Sequence, residues 1–137
     1  MDKFKKLFFI DDDHATNVYH KIIVQRADIC DEAIFFDNAE TALEAYIELK
    51  KDPETILPEY IFLDINMPIM DGWQFIAEFK RLEINTQQVI IMLTTSLSSS
   101  DKQKADQFGF VQDFWNKPMK VETLKTLNLK KNVSERS

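Results

Sequence analysis

The fold is decided by residues 60–72, which read YIFLDINMPIMDG. The first four residues are apolar, and an unbroken apolar run of this length is typical of a strand buried on both faces of a parallel sheet. The run leads into Asp64, and a loop containing Pro68 and Gly72 follows. Burying a carboxylate costs free energy unless it is paired with a cation or bound to a metal. Asp64 is therefore a candidate functional residue at the end of a central strand.

Four further apolar runs of strand length alternate with stretches of helical periodicity. These runs are Leu7–Ile10, Ala33–Phe36, Val89–Leu93 and Phe110–Phe114, and the run of residues 60–65 is third in chain order. Strands that alternate with helices predict a parallel sheet with helices on both faces and right-handed connections. We therefore predict an α/β fold, a doubly wound five-stranded parallel sheet of order 2-1-3-4-5 in the flavodoxin-like (βα)5 arrangement.

Apolar stripes in the helical stretches predict which helix faces are buried. The predicted stripes are Ala15, Val18 and Ile22 in the first helix, with Tyr19 and Ile23 beside them, Ala39, Ala42, Leu43, Tyr46 and Ile47 in the second, and Val121, Leu124 and Leu127 in the last. Asn38 is the predicted N-cap of the second helix. We expect the domain to span residues 1–129 and the polar residues 130–137 to form a frayed tail.

Composition and charge exclude several classes of protein. The chain has 137 residues, of which 45% are hydrophobic, and a net charge of −6. The length fits one domain, and the negative charge disfavours nucleic acid and anionic membrane surfaces as partners. Cys30 is the only cysteine, which excludes an intrachain disulfide, and no apolar run approaches the roughly 20 residues of a membrane span. We expect a cytoplasmic protein, with His14 and His20 at its surface.

Each predicted strand is followed by a polar residue, but Asp37, after the second strand, lies away from the point where strand order reverses, so the candidates for one site are those after the other four strands. They are Asp11, Asp12 and Asp13 after the first strand, Asp64 at the end of the third, Thr94 and Thr95 after the fourth, and Lys117 after the fifth. Ligands of doubly wound sheets bind outside the carboxyl ends of the strands, near the point where strand order reverses. We expect these residues to line one site, although Asp13 and Thr16 are also candidates for the N-cap of the first helix.

The residue types at this edge fit Mg²⁺ and phosphoryl chemistry. Adjacent carboxylates raise one another's pKa unless a cation lies between them, and Mg²⁺ prefers oxygen ligands. A carboxylate is nucleophilic at neutral pH, and its in-line attack on phosphorus forms an acyl phosphate. Mg²⁺ and Lys117 would neutralise the charge on the transferred group, and Thr94 would donate a hydrogen bond to one of its oxygens.

Through these motifs the chain resembles the receiver domain of two-component response regulators, of the stand-alone, chemotaxis-regulator-like kind. The resemblance extends from about residue 6 to residue 127. It rests on four segments, FFIDDD at residues 8–13, IFLDINMPIMDG at 61–72, VIIMLTT at 89–95 and NKP at 116–118. The second segment is the most specific of the four.

The resemblance implies a role for each acidic residue of the predicted site. Asp64 would be the phosphoacceptor, and Asp11 and Asp12 would form the acidic pair that holds Mg²⁺. Asp12 would bind the metal directly, Asp11 would bind it through water, and Asn66 would supply its backbone carbonyl.

The remaining motif residues would act on the phosphoryl group. Lys117 would be the phosphate-binding lysine, joined to Pro118 by a cis peptide bond. Thr94 would be the switch hydroxyl and Phe114 the switch aromatic. Asn66 and Ser96 would tune self-dephosphorylation, and Thr95, which is bulkier than the residue usual in the family, would narrow access to the acceptor.

The resemblance also implies partners and an output. A histidine kinase or histidine phosphotransfer protein would supply the phosphoryl group, after which Thr94 would move towards it and Phe114 would turn inward. The surface of the fourth helix, fifth strand and fifth helix would then bind a downstream protein with altered affinity. The protein would be a signalling phosphoprotein, monomeric or dimerised by phosphorylation, and would catalyse only its own phosphorylation and dephosphorylation.

Two other functions remain as alternatives. A haloacid-dehalogenase-like phosphatase would use Asp11 as its nucleophile, but the acidic pair that such an enzyme needs after Lys117 is missing, since only Glu122 and Glu135 follow. That reading also leaves Asp64 without a role. A phosphorylation-independent binding module on the same fold usually lacks the acceptor, the lysine or an acidic residue, and this chain has all of them.

Overall fold

Five parallel strands alternate with five helices in the computed structural model, which describes residues 3–82, 89–108 and 111–136. The strands are β1 (Phe4–Ile10), β2 (Cys30–Phe36), β3 (Tyr60–Asp64), β4 (Val89–Thr94) and β5 (Val111–Asn116). The helices are α1 (His14–Ala27), α2 (Ala39–Lys51), α3 (Gly72–Arg81), α4 (Ser99–Phe108) and α5 (Val121–Arg136). The predicted alternation of strands and helices is confirmed.

The strands form one sheet in the predicted order, β2-β1-β3-β4-β5, and each neighbouring pair is parallel. Leu7 of β1 lies beside Tyr60 of β3, and Tyr60 lies beside Val89 of β4. Strand order reverses between β1 and β3, so the carboxyl ends of these strands flank the switch point at which doubly wound proteins bind their ligands.

Each central strand contributes side chains to two cores. Phe8 and Ile10 of β1 belong to the core beneath α2 and α3, whereas Leu7 and Phe9 belong to the core beneath α1 and α5. The rings of Phe9 and Phe62 are stacked with their centroids 4.6 Å apart. Because both faces of the sheet are covered, these strands are apolar throughout and do not alternate with polar residues.

The buried face of α1 is not the predicted stripe. Ala15, Val18 and Ile22 are exposed, whereas the buried residues are Asn17, His20, Ile23, Val24 and Ala27. The prediction that His20 lies at the surface is wrong, although His14 is exposed as expected. Two polar residues of the buried face form hydrogen bonds to loops at the edge of the sheet, and apolar periodicity does not reveal such partners.

Helix α2 agrees with the prediction. The side chain of Asn38 accepts a hydrogen bond from the backbone N–H of Thr41 at 2.7 Å, which makes Asn38 the N-cap. Its buried residues are Ala39, Ala42, Leu43 and Tyr46, all members of the predicted stripe.

Helix α5 is longer than predicted. Leu124 and Leu127 are buried as expected, but the helix continues to Arg136 and does not end at residue 129. No glycine or proline interrupts residues 121–136, so the backbone continues in the helix through the polar stretch. None of the helices within the described ranges has both the length and the apolar character needed to cross a membrane.

The strand boundaries also differ from the apolar runs. Strands β1 and β2 begin at Phe4 and Cys30, earlier than predicted, because their backbone pairing extends beyond the apolar runs into charged residues. Lys6 lies beside Glu32 in the register, and their side chains form an ion pair at 3.6 Å. Phe110, the predicted first residue of the fifth strand, lies outside the described residues.

Candidate functional site

The fold brings the predicted polar residues to one edge of the sheet. Asp11 follows β1, Asp64 ends β3, Thr94 ends β4 and Lys117 follows β5. Asp11, Asp12 and Asp64 each offer a carboxylate oxygen, and these oxygens lie within 4.8 Å of one another. The expectation that these carboxylates meet at the switch point is therefore met by the geometry.

The three carboxylates form a candidate cation site. Asp11 and Asp64 are buried, with Asp64 only 3% exposed, whereas Asp12 faces solvent. A cluster of oxygen ligands that is open to water on one side fits Mg²⁺, which binds a few protein oxygens and retains several waters. Asn66 is exposed two residues after Asp64, and the use of its backbone carbonyl as a ligand stays a prediction.

Lys117 joins two of the carboxylates. Its Nζ donates a hydrogen bond to Asp11 Oδ2 at 3.0 Å and lies 3.1 Å from Asp64 Oδ1. Its backbone N–H donates to the carbonyl of Thr94 at 2.9 Å, which fixes the residue against the end of β4. The peptide bond between Lys117 and Pro118 is cis, as the resemblance implied.

Burial and charge shift the pKa values of the two central groups. Burial and the charge of Asp11 together raise the pKa of Asp64 to about 6, whereas Lys117 opposes the shift. Burial alone would lower the pKa of Lys117, but the hydrogen bonds and charges of Asp11 and Asp64 outweigh it and raise that pKa. At pH 7 the site therefore contains an ionised lysine beside a carboxylate that a proton or a cation would stabilise.

The hydroxyl of Thr94 is bonded within its own loop. Thr94 is buried, and its Oγ1 donates to the carbonyl of Ser96 at 2.7 Å and accepts from the Ser96 N–H at 3.1 Å. The side chains of Thr95 and Ser96 are exposed. The structure thus places Thr94 at the predicted edge, with its hydroxyl directed to Ser96.

Phe114 lies away from the carboxylates, in the middle of β5. It pairs with Met92 of β4 and is half-buried against the core beneath α2 and α3. Its ring centroid is 6.4 Å from that of Trp73, whose indole N–H donates to Asp101 Oδ1 of α4 at 3.0 Å. Phe114 therefore packs on the face of the sheet beneath α3, close to the tryptophan that joins α3 to α4.

Asp13, the third aspartate of the acidic segment, caps α1. Its Oδ2 accepts a hydrogen bond from the backbone N–H of Thr16 at 3.2 Å, and its own N–H donates to Asp11 Oδ1 at 3.0 Å. This geometry resolves the choice between Asp13 and Thr16 as N-cap. Only the first two aspartates of the segment belong to the candidate cation site.

Gly72 is a residue whose importance the sequence analysis missed. A Cβ at this position would lie 2.7 Å from the backbone oxygen of Asp64 and 3.0 Å from Ile65 Cα. The N–H of Gly72 donates to the carbonyl of Ile65 at 2.8 Å, which folds the loop back onto the end of β3. Because Gly72 has no side chain, its backbone can lie directly against the backbone of Asp64 and Ile65.

Asn17 and His20 are the other residues that the analysis missed. Asn17 Nδ2 donates to the backbone carbonyl of Asp11 at 2.8 Å, and His20 Nε2 accepts from the backbone N–H of Met119 at 3.1 Å. The available signal was the spacing of Asn17, His20, Val24 and Ala27, which place two polar residues on one helical face. The periodicity of the apolar residues alone predicts that the opposite face of α1 is buried.

The fold and the site define a class of protein, the doubly wound α/β proteins with a carboxylate cluster and a lysine at the switch point. Within that class, the family model of the response regulator receiver domain matches residues 7–128. The chain therefore belongs to the response regulator receiver domain family, and the resemblance inferred from the motifs is confirmed. Members of this family act as phosphoacceptor signalling proteins of two-component systems, not as conventional enzymes, so the phosphatase alternative is not favoured.

Curated relatives and solved structures agree with this assignment. The chain is 26% identical over 125 residues to chemotaxis protein CheY of Halobacterium salinarum, covering 88% of this chain and 93% of that protein. It is 31% identical over 80 residues to "Probable methanogenesis regulatory protein FilR2" of Methanothrix harundinacea, covering 58% of this chain and about half, 51%, of that protein. A two-component response regulator of Cytophaga hutchinsonii superposes with a TM-score of 0.83 at 27% identity, covering 93% and 96% of the two chains.

Proposed function

We propose that this chain accepts a phosphoryl group on Asp64 and signals through a protein contact that depends on phosphorylation. A histidine kinase or histidine phosphotransfer protein is the donor, and Mg²⁺ is required. The observation that carries the proposal is the position of Asp64, a buried carboxylate that has the carboxylate oxygens of Asp11 and Asp12 within 4.8 Å and Lys117 Nζ 3.1 Å away. Such an arrangement stabilises the negative charge that accumulates around phosphorus.

The transfer step forms one bond and breaks another. A carboxylate oxygen of Asp64 bonds to phosphorus while the P–N bond to the donor imidazole breaks, and the bonding pair remains on the imidazole nitrogen, which takes up a proton from solvent. Lys117, held beside Asp64, neutralises charge on the equatorial phosphoryl oxygens. The deprotonated form of Asp64 is the nucleophile, and a cation held by the neighbouring carboxylates would favour this form over the protonated one.

Asp11, Asp12, Asp64 and the backbone carbonyl of Asn66 are the proposed Mg²⁺ ligands, with Asp11 acting through water. The metal, when bound, neutralises charge on the carboxylates and the phosphoryl oxygens. This role accounts for the burial of two carboxylates beside one lysine, because a single ammonium cannot neutralise three acidic groups. Asn66 and Ser96, both exposed beside the site, are the proposed determinants of self-dephosphorylation.

The proposed switch uses Thr94 and Phe114. For its hydroxyl to donate to a phosphoryl oxygen, Thr94 must give up its hydrogen bond to the Ser96 carbonyl, which displaces the loop between β4 and α4. Phe114 then turns towards the space that Thr94 leaves and changes its contact with Trp73. We propose that the face formed by α4, β5 and α5 thereby changes its affinity for a downstream protein, either as a monomer or as a phosphorylation-induced dimer.

Intact mass after incubation with acetyl phosphate and Mg²⁺ tests the proposal. Wild type should gain one phosphoryl group, and Asp64→Asn should gain none. Asp37→Asn is the matched control, because Asp37 also follows a strand but lies outside the carboxylate cluster, and it should be labelled like wild type. EDTA should prevent labelling.

Two results would contradict the proposal. Labelling of Asp64→Asn that is lost in Asp11→Asn would move the nucleophile to Asp11, as in the phosphatase alternative. No labelling of wild type, either by acetyl phosphate or by a phosphorylated histidine phosphotransfer protein, would favour a phosphorylation-independent binding module.

A further inference from the structure

The turn that carries Lys117 is held by a side chain of a distant helix. His20 of α1 is fully buried, and its Nε2 accepts a hydrogen bond from the backbone N–H of Met119, two residues after Lys117. At the other end of the same turn, the N–H of Lys117 donates to the carbonyl of Thr94. The turn is therefore fixed at one end by β4 and at the other end by the imidazole.

The bond to Met119 requires a neutral imidazole with its proton on Nδ1. A nitrogen that accepts a hydrogen bond carries no proton, and the imidazolium form has no acceptor. Burial lowers the pKa of His20 to about 4, against a smaller opposing effect of Asp11. The imidazole is therefore neutral in the pH range where the site operates, and its acceptor is available to Met119.

A second polar residue on the same helical face holds the opposite side of the site. Asn17, one turn before His20, donates from Nδ2 to the carbonyl of Asp11 at 2.8 Å and to that of Phe36 at 3.4 Å. One face of α1 thus binds both the loop with the acidic pair and the turn with the lysine. The side chains from these two segments meet where Lys117 Nζ bonds Asp11 Oδ2 at 3.0 Å.

Asn17 and His20 place polar atoms on the buried face of α1, where apolar atoms would otherwise pack. Asn17 Oδ1 and His20 Nδ1 are buried and have no hydrogen-bond partner among the described residues. An unpaired buried polar atom costs free energy, so packing alone does not explain an asparagine and a histidine at these positions. The bonds that they do form, to the two segments of the site, supply the explanation.

We propose that His20 is a positioning residue for Lys117 in the phosphorylation reaction, holding the turn so that the lysine Nζ lies beside Asp64. This inference rests on the proposed function. The one hydrogen bond that His20 forms among the described residues is to the Met119 N–H, so it acts on the site through the turn. Its loss is expected to slow phosphorylation about tenfold, less than the roughly 100-fold that a displacement of about 1 Å can cost, because the turn remains bonded to Thr94.

Three substitutions of His20 separate positioning from packing. His20→Leu introduces an apolar side chain of similar bulk and removes the hydrogen-bond acceptor. His20→Gln places an amide oxygen near the position of Nε2, whereas His20→Asn places it near that of Nδ1, too short to reach Met119. The rate of acetyl phosphate labelling should fall about tenfold in the Leu and Asn variants and remain close to wild type in the Gln variant.

Controls distinguish a local from a general disturbance of α1. Ile23→Val removes a methylene from the same buried face without touching the hydrogen bond, and it should leave the labelling rate unchanged. Mg²⁺ affinity, measured by titration in the absence of phosphodonor, should not fall in the His20 variants, because Asn17 still holds the backbone of Asp11 and displacement of Lys117 only removes a positive charge from beside the carboxylates. A combined His20→Asn and Lys117→Met variant should label no more slowly than Lys117→Met alone.

The outcomes are distinguishable from failure of the proposed function. If wild type is not labelled at Asp64, the proposed function fails. His20 does not position Lys117 if a correctly folded His20→Asn variant is labelled at the same rate as wild type. The same conclusion follows if His20→Gln and His20→Asn slow labelling equally. Should His20→Leu fail to fold, the comparison of Gln with Asn, which are both polar and differ only in reach, still decides.

Discussion

Helices α1 and α2 begin alike but bury different kinds of residue. Each is preceded by an N-cap whose side chain accepts a backbone hydrogen bond three residues on, Asp13 for α1 and Asn38 for α2. Helix α2 buries aliphatic residues and Tyr46, whereas α1 buries Asn17 and His20 beside its apolar residues. The exposed side of α1 has large apolar residues where a helix of this kind usually has polar ones.

The position of each helix in the sheet explains the difference. Helix α1 follows β1, which flanks the switch point, so its buried face lies against the segments that carry Asp11 and Met119. Helix α2 follows β2, which is an edge strand, and it packs on the core away from those segments. A helix that only covers the sheet needs apolar residues on its buried face, whereas a helix that also holds loops needs polar ones.

The largest expected effect comes from two adjacent isoleucines of α1. Ile23→Ala should lower the free energy of unfolding by about 2–5 kcal/mol, because Ile23 is 5% exposed and its removal leaves a cavity. Ile22→Ala should lower it by less than about 0.5 kcal/mol, because Ile22 is 44% exposed. Urea unfolding of both variants measures the difference. Equal losses would mean that α1 is rotated and that its exposed stripe packs on the sheet.

The contrast between the helices also shows how much the sequence could reveal. Asp11, Asp64 and Lys117 were predicted to share a site because each follows an apolar run, and because parallel strands end at a common edge. The apolar runs are a local property of the sequence, and the common edge follows from the fold class. Neither requires knowledge of side-chain contacts.

Asn17 and His20 could not be found in the same way. The partner of Asn17 is the backbone of Asp11, six residues away, and that of His20 is the backbone of Met119, 99 residues away. Every residue offers backbone donors and acceptors, so no residue type in the sequence marks these partners. The apolar residues on the opposite side of α1 gave the stronger periodic signal, and the prediction followed it.

A smaller effect is expected from pH, and it should come from α1 and not from α2. His20 has a pKa of about 4 in the folded protein, against an ordinary value of 6.5, because burial disfavours its charged form. The unfolded chain therefore binds more protons between these values, and the contribution of neutral His20 to stability is present above pH 6.5 and is lost as pH falls towards 4. Tyr46, the titratable residue on the buried face of α2, has its pKa raised by burial and does not titrate in this range.

Protonation of Asp64 changes stability in the opposite direction to protonation of His20. The test therefore compares wild type with variants in which one of these residues is replaced. The pKa of Asp64 is raised to about 6, and protonation of the folded site therefore adds stability as pH falls through this value, down to about 4. The two contributions oppose each other in wild type. Urea unfolding in EDTA from pH 7 to pH 4 should show wild type losing stability relative to His20→Gln, and gaining stability relative to Asp64→Asn. A constant difference between wild type and His20→Gln would show that the imidazole is accessible to protons in the folded state.

The smallest effect concerns the buried hydroxyl of α2. Tyr46 is fully buried against Phe79, with ring centroids 4.9 Å apart, and its hydroxyl has no partner among the described residues. Tyr46→Phe should therefore leave the free energy of unfolding unchanged or raise it by up to about 1 kcal/mol, since an unpaired polar group is removed. Tyr60→Phe is the control, because the side chain of Gln112 lowers the pKa of Tyr60 against the effect of burial, and loss of this interaction should lower stability by up to about 1 kcal/mol. A loss in Tyr46→Phe as large as in the control would show that α2, like α1, uses a buried polar group to hold another segment.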